Sequence, residues 1–403
     1  MINCPVHLSV CWVQFLFLSL DNYIILLSSC EEFNSNHVSL FIRIQSGQAR
    51  SAELLAERAP LAQFYGGLAS WTADRLFGEP GEEENGRIRE LQEKDEMSDD
   101  EMKWLKKARL FELPRRTYGW MVSHAAVPYA ECLRGSRYRV YFSARDRYNR
   151  SRTGFFDFDL QHPKKILSIS KNPILDLGRL GAFDDSGAML SWITNYENKK
   201  YFYYFGWNLG VTVPFRNAIG LAVFQGGGQT ARKVSEGPIL DRDIHDPYFV
   251  SNPCVLIDGG IWRMWYVSCR EWKLEAGKPK HWYHIRYAES ADGIHWRRTG
   301  IVCIDFITRS EHAISRPCVI KENNGYKMWY SYRGNNYRIG YAESSDGLHW
   351  TRKDSEAGIR VSRSGWDSKM IEYPFVFDHQ GSRYLLYNGN NYGETGVGLA
   401  LLA

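Results

Sequence analysis

The sequence predicts an all-β chain, a five-bladed β-propeller preceded by a mostly helical or disordered N-terminal extension. Three observations carry this. One strand–turn–strand motif recurs in a single register from about residue 115 onward. A second motif recurs in the latter half of the same units. Finally, 14% of residues are aromatic, including 14 Trp and 24 Tyr, a content that favours strands over helices.

The first motif is clearest in SNPCVLIDGGIWRMWYVS (251–268), SRPCVIKENNGYKMWYSY (315–332) and EYPFVFDHQGSRYLLYNG (372–389). Each copy has a proline, a β-type run, a Gly/Asn/Asp turn and a second strand. AVPYAECLRGSRYRVYFS (126–143) is an earlier copy, and residues 185–207 are a looser one in which Gly187 replaces the proline. The anchors Pro128, Gly187, Pro253, Pro317 and Pro374 lie about sixty residues apart, the length of a four-stranded blade with its loops. A pair of β-sandwiches would not carry one period across the whole region.

The second motif appears in RYAESADGIHWRRTG (286–300) and GYAESSDGLHWTRKD (340–354), with GLAVFQGGGQTARKV (220–234) as a degenerate copy. Asp-Gly tolerates the backbone of a tight hairpin, so these turns read as structural. The final GVGLALLA (396–403) supplies the same strand without its hairpin partner.

The remainder bounds the partners. A net charge of +4 over 403 residues, with no basic run, argues against nucleic acid. The eight cysteines form no CxxC and no metal-ligand spacing with histidine, so no dedicated metal cage is expected, no cofactor is called for, and an ion in the channel stays open. Cys254 and Cys318 each follow an anchor proline and read as small core residues. A reducing, cytoplasmic compartment is the simpler expectation.

Residues 1–100 are expected to be an extension distinct from a propeller over 111–403. Its apolar run 8–29 is a poor signal peptide, and Asp21 and Asn22 interrupt it as a membrane span. It reads as an anomalous extension, a membrane-associated segment or a packed helix, and membrane contact is expected only if it is native. Residues 51–78 have helical spacing and 79–103 form an acidic linker, with Met97 and Met102 as alternative starts.

In a propeller the loops leading into the innermost strands converge at the mouth of the central funnel. Before the anchors lie Ser123 and His124; Asp184 and Asp185; Asp246 and Asn252; Glu311 and Arg316; and Trp366, Asp367 and Glu372. A polar or charged group before every inner strand is the pattern expected of a shared site. Paired carboxylates would suit cleavage of a glycosidic bond, one acid protonating the leaving oxygen and a second activating water or attacking the sugar.

The segments SHAAVP, FDDSG, SRPCVI, MWYSYR, IGYAESSDGLHW and SGWDSKMIEYP followed by LLYNGN resemble the five-bladed glycoside hydrolase superfamily of families 43, 32, 62, 68 and 130. The likeness runs from about residue 115 to the end and is nearest to glycosidase-like propellers of bacterial polysaccharide gene clusters. It implies a glycosidase acting on an oligosaccharide or polysaccharide. Glu372, two residues before its proline, matches the general acid of the Glu-Gly-Pro element in family 43. Asp185 is the implied base or pKa modulator, with Asp367 and Glu311 as further catalytic carboxylates. His124, Asp184, Asp246, Asn252, Arg316 and Trp366 are the implied substrate-binding residues. Trp120 and Trp207 join Trp366 as candidate sugar platforms.

The sequence departs from the family at the first blade, where an essential Asp is replaced by Ser123 and His124. Glycosyl transfer, phosphorolysis with His124 and Arg316 holding a phosphate, or sugar binding without catalysis therefore stand beside hydrolysis.

Overall fold

The computed structural model describes residues 102–114, 118–224 and 231–403, together with the strands Gln14–Leu20, Tyr23–Ser29 and Val38–Arg43. The chain divides into two compact units, 1–97 and 98–403. In the first, the three strands pair in order as an antiparallel meander, two of them within the apolar run. The helix expected over 51–78 lies outside the described residues. No described helix is long and apolar enough to cross a membrane.

The second unit is a β-propeller whose strands fall into five four-stranded antiparallel groups, blades I to V. Blade I comprises Ser123–Arg134, Arg137–Arg145, Ser151–Asp159 and Ile166–Ile169. Blade II comprises Gly187–Tyr196, Lys199–Leu209, Phe215–Phe224 and Arg232–Lys233. Blade III comprises Val250–Asp258, Ile261–Glu275, Lys278–Ser290 and Arg297–Ile304. Blade IV comprises Ala313–Glu322, Gly325–Arg333, Tyr337–Ser344 and Thr351–Arg352. In each, the first strand is innermost and packs against the first strand of the next blade; the ring closes where Glu372–His379 meets Ser123–Arg134.

Blade V resolves the orphan strand at the C-terminus. Glu372–His379, Ser382–Asn388 and Val397–Leu402 are completed from outside by Trp104–Phe111, which lies ahead of the expected propeller start. The two ends of the propeller are thus hydrogen-bonded to each other, which removes the open edges a linear sheet would expose. Phe111 stacks on Phe156 of blade I at 4.2 Å, and Trp104 meets Trp329 of blade IV edge-on at 6.1 Å. The fully buried Asn388 adds a clasp: its side-chain oxygen accepts the Val127 N–H, and its amide donates to the carbonyls of Ala125 and Gly396.

The recurring cysteines have a matching role. The Cys254 sulfur accepts the Val319 N–H at 3.4 Å and the Cys318 sulfur accepts the Val376 N–H at 3.2 Å, each reaching the next blade's inner strand. The Ser-x-Asp-Gly turns also bind a neighbour. The Gly293 carbonyl accepts from Tyr203 and the Gly347 carbonyl from Trp265, both in the preceding blade. At Gly293, φ is +74° and an added Cβ would lie 2.6 Å from the Tyr203 hydroxyl, so the turn demands glycine.

Each anchor proline follows a residue with left-handed backbone: Val127 (φ 56°), Asn252 (43°), Arg316 (54°) and Tyr373 (55°). Register shifts accompany all four, so each inner strand carries a β-bulge that re-aims side chains toward the axis. The residue before a proline ordinarily favours extended backbone, so these bulges are held by their surroundings. In blade II the counterpart of the proline is Ser191, four residues beyond the Gly187 that the sequence offers. Leu190 and Trp192 pair with the adjacent Tyr204 and Tyr203 across the bulge of blade II, as Ser251 and Cys254 flank that of blade III.

A chain shortened to begin at Ser98 retains all five blades and is expected to melt in one cooperative transition. One shortened to begin at Glu112 loses the fourth strand of blade V and should melt broadly at lower temperature. Thermal melts followed by near-ultraviolet circular dichroism distinguish the two.

Candidate active site

The carboxylates preceding the inner strands separate into two groups. Asp184, Asp246 and Asp367 are buried, and each accepts a hydrogen bond from a tyrosine 20 residues later, Tyr204, Tyr266 and Tyr387, at 2.8–3.0 Å. Each also meets a cation on the outermost strand of its blade: Lys233 at 2.6 Å, Arg298 at 3.0 Å and Lys106 at 2.6 Å. Asp246 further accepts from Ser268 at 2.5 Å. Glu311 follows a variant of this arrangement, meeting Arg352 at 2.8 Å, while Tyr330 donates to Asp354 beside the same arginine.

These four are radial staples. A buried carboxylate needs a paired charge and filled hydrogen-bonding positions, and the blade supplies both. The recurrence of a carboxylate before the inner strands of blades II to V therefore reflects blade construction. Trp366 belongs to the same layer: it stacks on Tyr387 at 5.5 Å, and the Arg109 guanidinium lies 5.7 Å from its ring centroid. Trp207 covers Gly187, and Trp120 donates to the Lys171 carbonyl. Asp185 is half-buried in the loop before blade II, accepting from the Gly181 N–H and the Ser186 hydroxyl.

Glu372 differs from all of these. It begins the innermost strand of blade V, is fully buried, and neither carboxyl oxygen has a hydrogen-bond partner. Burial pushes its carboxyl well above the ordinary 4.5, opposed by Arg333, the Tyr392 backbone amide and Arg145. Burial thus works against the ionised form of this carboxyl.

Around it the blades bring together residues far apart in the chain. Arg333, at the end of the second strand of blade IV, donates to the His312 ring and to the Tyr392 hydroxyl and lies over the Tyr337 ring at 5.0 Å. Tyr337 shares a short hydrogen bond with Tyr283 of blade III, and Tyr283 stacks on His281 at 4.9 Å. Tyr373 lies between Glu372 and its anchor proline, with its N–H donated to Ser331 at 2.7 Å. Burial and the neighbouring phenol of Tyr283 raise Tyr337 well above the usual range, and burial beside Glu372 does the same to Tyr373, so both remain hydroxyl donors.

Blade I contributes His124 and Arg145. His124 has a left-handed backbone, and its ring meets the Ser123 hydroxyl at 2.9 Å. Burial, then the Arg145 charge, lowers its pKa to about 4; burial and Arg333 do the same for His281 and His312. Arg316 lies deeper. Fully buried on the inner strand of blade IV, it donates to Ser191 of blade II and to the Pro128 carbonyl of blade I at 3.0 Å, bridging three blades. Asn252 holds the matching bulge in blade III, with a buried side-chain oxygen lacking a partner.

The structure thus places Glu372, His124, Asn252 and Arg316 on the inner strands and Asp184, Asp246, Glu311, Asp367 and Trp366 in the blades. The sequence reading missed Arg145, Arg333 and Tyr337 at strand ends, Tyr283 within the third strand of blade III and Tyr392 after the second strand of blade V, none of which stands before an anchor. Among the described residues no group of His, Cys, Asp or Glu is arranged to hold a metal ion.

In architecture this is a propeller of the kind found in glycoside hydrolases. One glycoside hydrolase aligns at TM-score 0.55 and 17% identity, over 79% of this chain and 94% of that protein. A glycosyl hydrolase from Bacteroides ovatus aligns at TM-score 0.56 and 16% identity, over 75% and 94%. A thermostable family-43 glycoside hydrolase gives 0.52 and 19%, over 71% and 90%. No family model matches the chain. It nevertheless belongs to a family with two uncharacterised proteins, one from each of two strains of Mycobacterium tuberculosis. Both are 44% identical over 301 residues, covering 75% of this chain and 99% of each relative.

Two outcomes are expected. Replacing Asp246 by Ala leaves the buried Tyr266 and Ser268 hydroxyls without their acceptor and Arg298 with Asp243 as its remaining carboxylate, and should cost about 1–3 kcal/mol in denaturant unfolding. Separately, His124, His281 and His312 have folded pKa values near 4, below the ordinary 6.5. Their contribution to stability is complete above the unfolded value and is lost as pH falls through this window. Melting temperature measured across that range should drop, and the drop should shrink in His124→Gln.

Proposed function

We propose that the chain is a carbohydrate-active enzyme that breaks or transfers a glycosidic bond, with Glu372 as the general acid. One observation carries the reading: a fully buried carboxyl beside the axis whose pKa burial raises well above 4.5, with neither oxygen bonded to a side chain. A group kept protonated by its surroundings is suited to give its proton to a leaving glycosidic oxygen. The fold shared with glycoside hydrolases raises the weight of this reading without fixing the activity.

Asp185 is proposed as the second catalytic group, since the loop before blade II leaves its carboxylate half-exposed and tied to no cation among the described residues. His124, Asn252 and Arg316 are proposed to shape the sugar pocket, with Tyr337 and Tyr373 donating to hydroxyls. The substrate class is an oligosaccharide or polysaccharide. The five free thiols among the described residues, four of them buried, support a cytoplasmic setting as part of the proposal.

A second reading has support of its own. The staples commit Asp184, Asp246, Glu311 and Asp367 to the blades, so Glu372 has no second buried carboxylate beside it among the described residues. Transfer to an acceptor that brings its own negative charge, as in phosphorolysis, would need no such base.

Glu372→Gln keeps the shape and removes the proton. Turnover of the chain's glycoside should fall by about 10²–10⁴-fold while binding persists. The variant should also be more stable than the parent above pH 4.5, increasingly so as pH rises, because the parent must hold a proton that its unfolded state releases. Unchanged turnover in this variant would remove Glu372 from the chemistry and leave a sugar-binding role.

A further inference from the structure

Cations elsewhere in the propeller are commonly matched with carboxylates. Lys106, Lys233, Arg298, Arg352 and Arg383 each meet an Asp or Glu within 3.0 Å. The residues around Glu372 break that pattern. Among the described residues, Arg333 has only neutral hydrogen-bonding partners, the His312 ring and the Tyr392 hydroxyl. Arg145 donates to the Asn149 side chain. Arg316 donates to Ser191 and to backbone carbonyls.

The acidic groups nearby do not offset these charges. Burial works against the ionised form of Glu372, and its carboxyl oxygens make no hydrogen bond to an arginine. Glu394 is exposed and accepts from Asn391, and Glu275 is paired with Lys280 at 2.7 Å. The three histidines remain neutral but add ring nitrogens as donors or acceptors. The result is a region with three guanidiniums, each of which has only neutral hydrogen-bonding partners among the described residues. Charges of one sign in such a place raise the local concentration of the opposite ion. Arg145 and Arg333 are half-buried rather than sealed, so both can still face a ligand.

Two further observations point the same way. The Glu372 oxygens and the Asn252 side-chain oxygen are buried without partners, as are the His312 Nδ1 and the Ser315 hydroxyl. Buried polar groups ordinarily find hydrogen bonds, so this cluster is consistent with a polar ligand completing it. A guanidinium with only neutral partners is likewise one charge short of the planar carboxylate or phosphate that its fork of donors fits.

We infer that the axial site takes a sugar bearing an oxyanion, a carboxylate or a phosphate group, seated against Arg333 and Arg145 with the scissile oxygen toward Glu372. This rests on the sugar-active reading above and adds the charge of the substrate. A neutral sugar would leave both guanidiniums without an anionic partner, whereas an acidic one supplies it and keeps the glutamate free to act as an acid.

The test is calorimetric titration of the full chain at low salt with a panel of hexuronates and hexose phosphates, each beside its neutral parent hexose and beside inorganic phosphate. The parent protein, Glu372→Gln, Arg333→Gln, Arg333→Lys and Arg145→Gln are compared, their folding checked by circular dichroism. At least one acidic sugar should bind tenfold or more tightly than its neutral parent, in Glu372→Gln as in the parent protein. Arg333→Gln should erase about tenfold of that preference and Arg333→Lys restore part of it. Whether hexuronates or hexose phosphates lead identifies the oxyanion. Neutral hexoses binding as well as every acidic partner, no panel member binding, or inorganic phosphate alone matching the best sugar would each overturn the inference. Loss of turnover in Glu372→Gln alongside an absence of acidic preference would leave the glutamate's role standing and remove this one.

Discussion

The pairing of Val397–Leu402 with Trp104–Phe111 holds the axis together. Without it the inner strands of blades I and V would be ends of an open stack, and nothing would require them to face each other. With it, Arg145 from one end of the propeller acts on both His124 beside it and Glu372 from the other end. Asn388 reinforces the seam by bonding blade V to the bulged strand of blade I, where a buried amide has little freedom to choose another partner. The closing strand also brings Lys106 to Asp367, so one backbone pairing fixes both the seam and a radial staple.

Two kinds of buried charge follow from that frame. In the blades, carboxylates are matched by a cation and a tyrosine, which allows their burial. On the axis the matching is withheld. Glu372 is left without a side-chain partner, and Arg145, Arg316 and Arg333 are left with neutral ones. Unsatisfied groups cost stability and in native structures gather where a ligand or a reaction uses them. The left-handed residues before the anchor prolines belong to the same account, because the bulges turn inner-strand side chains toward the axis.

Much of the architecture was legible because a blade is a local object. Turn chemistry, strand length and the proline anchors repeat within one span of chain, and the cysteines after those prolines were correctly expected in the core. The outer strand of blade V was not legible, since it pairs with residues nearly the whole propeller away. Gly187 stood in for Ser191 because blade II lacks the proline and only strand register identifies the equivalent position. The staple did have a signal: an aspartate followed 20 residues later by a tyrosine in blades II, III and V. A carboxylate with its own tyrosine partner is already committed within its blade.

By itself, the sequence determined the repeating sheet, the hairpin turns and the presence of Glu372 before an anchor proline, all consequences of neighbours along the chain. Tertiary structure alone decided which carboxylates are ion-paired and which is left unpaired, with burial raising its pKa. Protonation depends on burial and on charges brought near in space, and Asp367 and Glu372, five positions apart, meet opposite environments, one stapled into its blade and the other unpaired beside the axis.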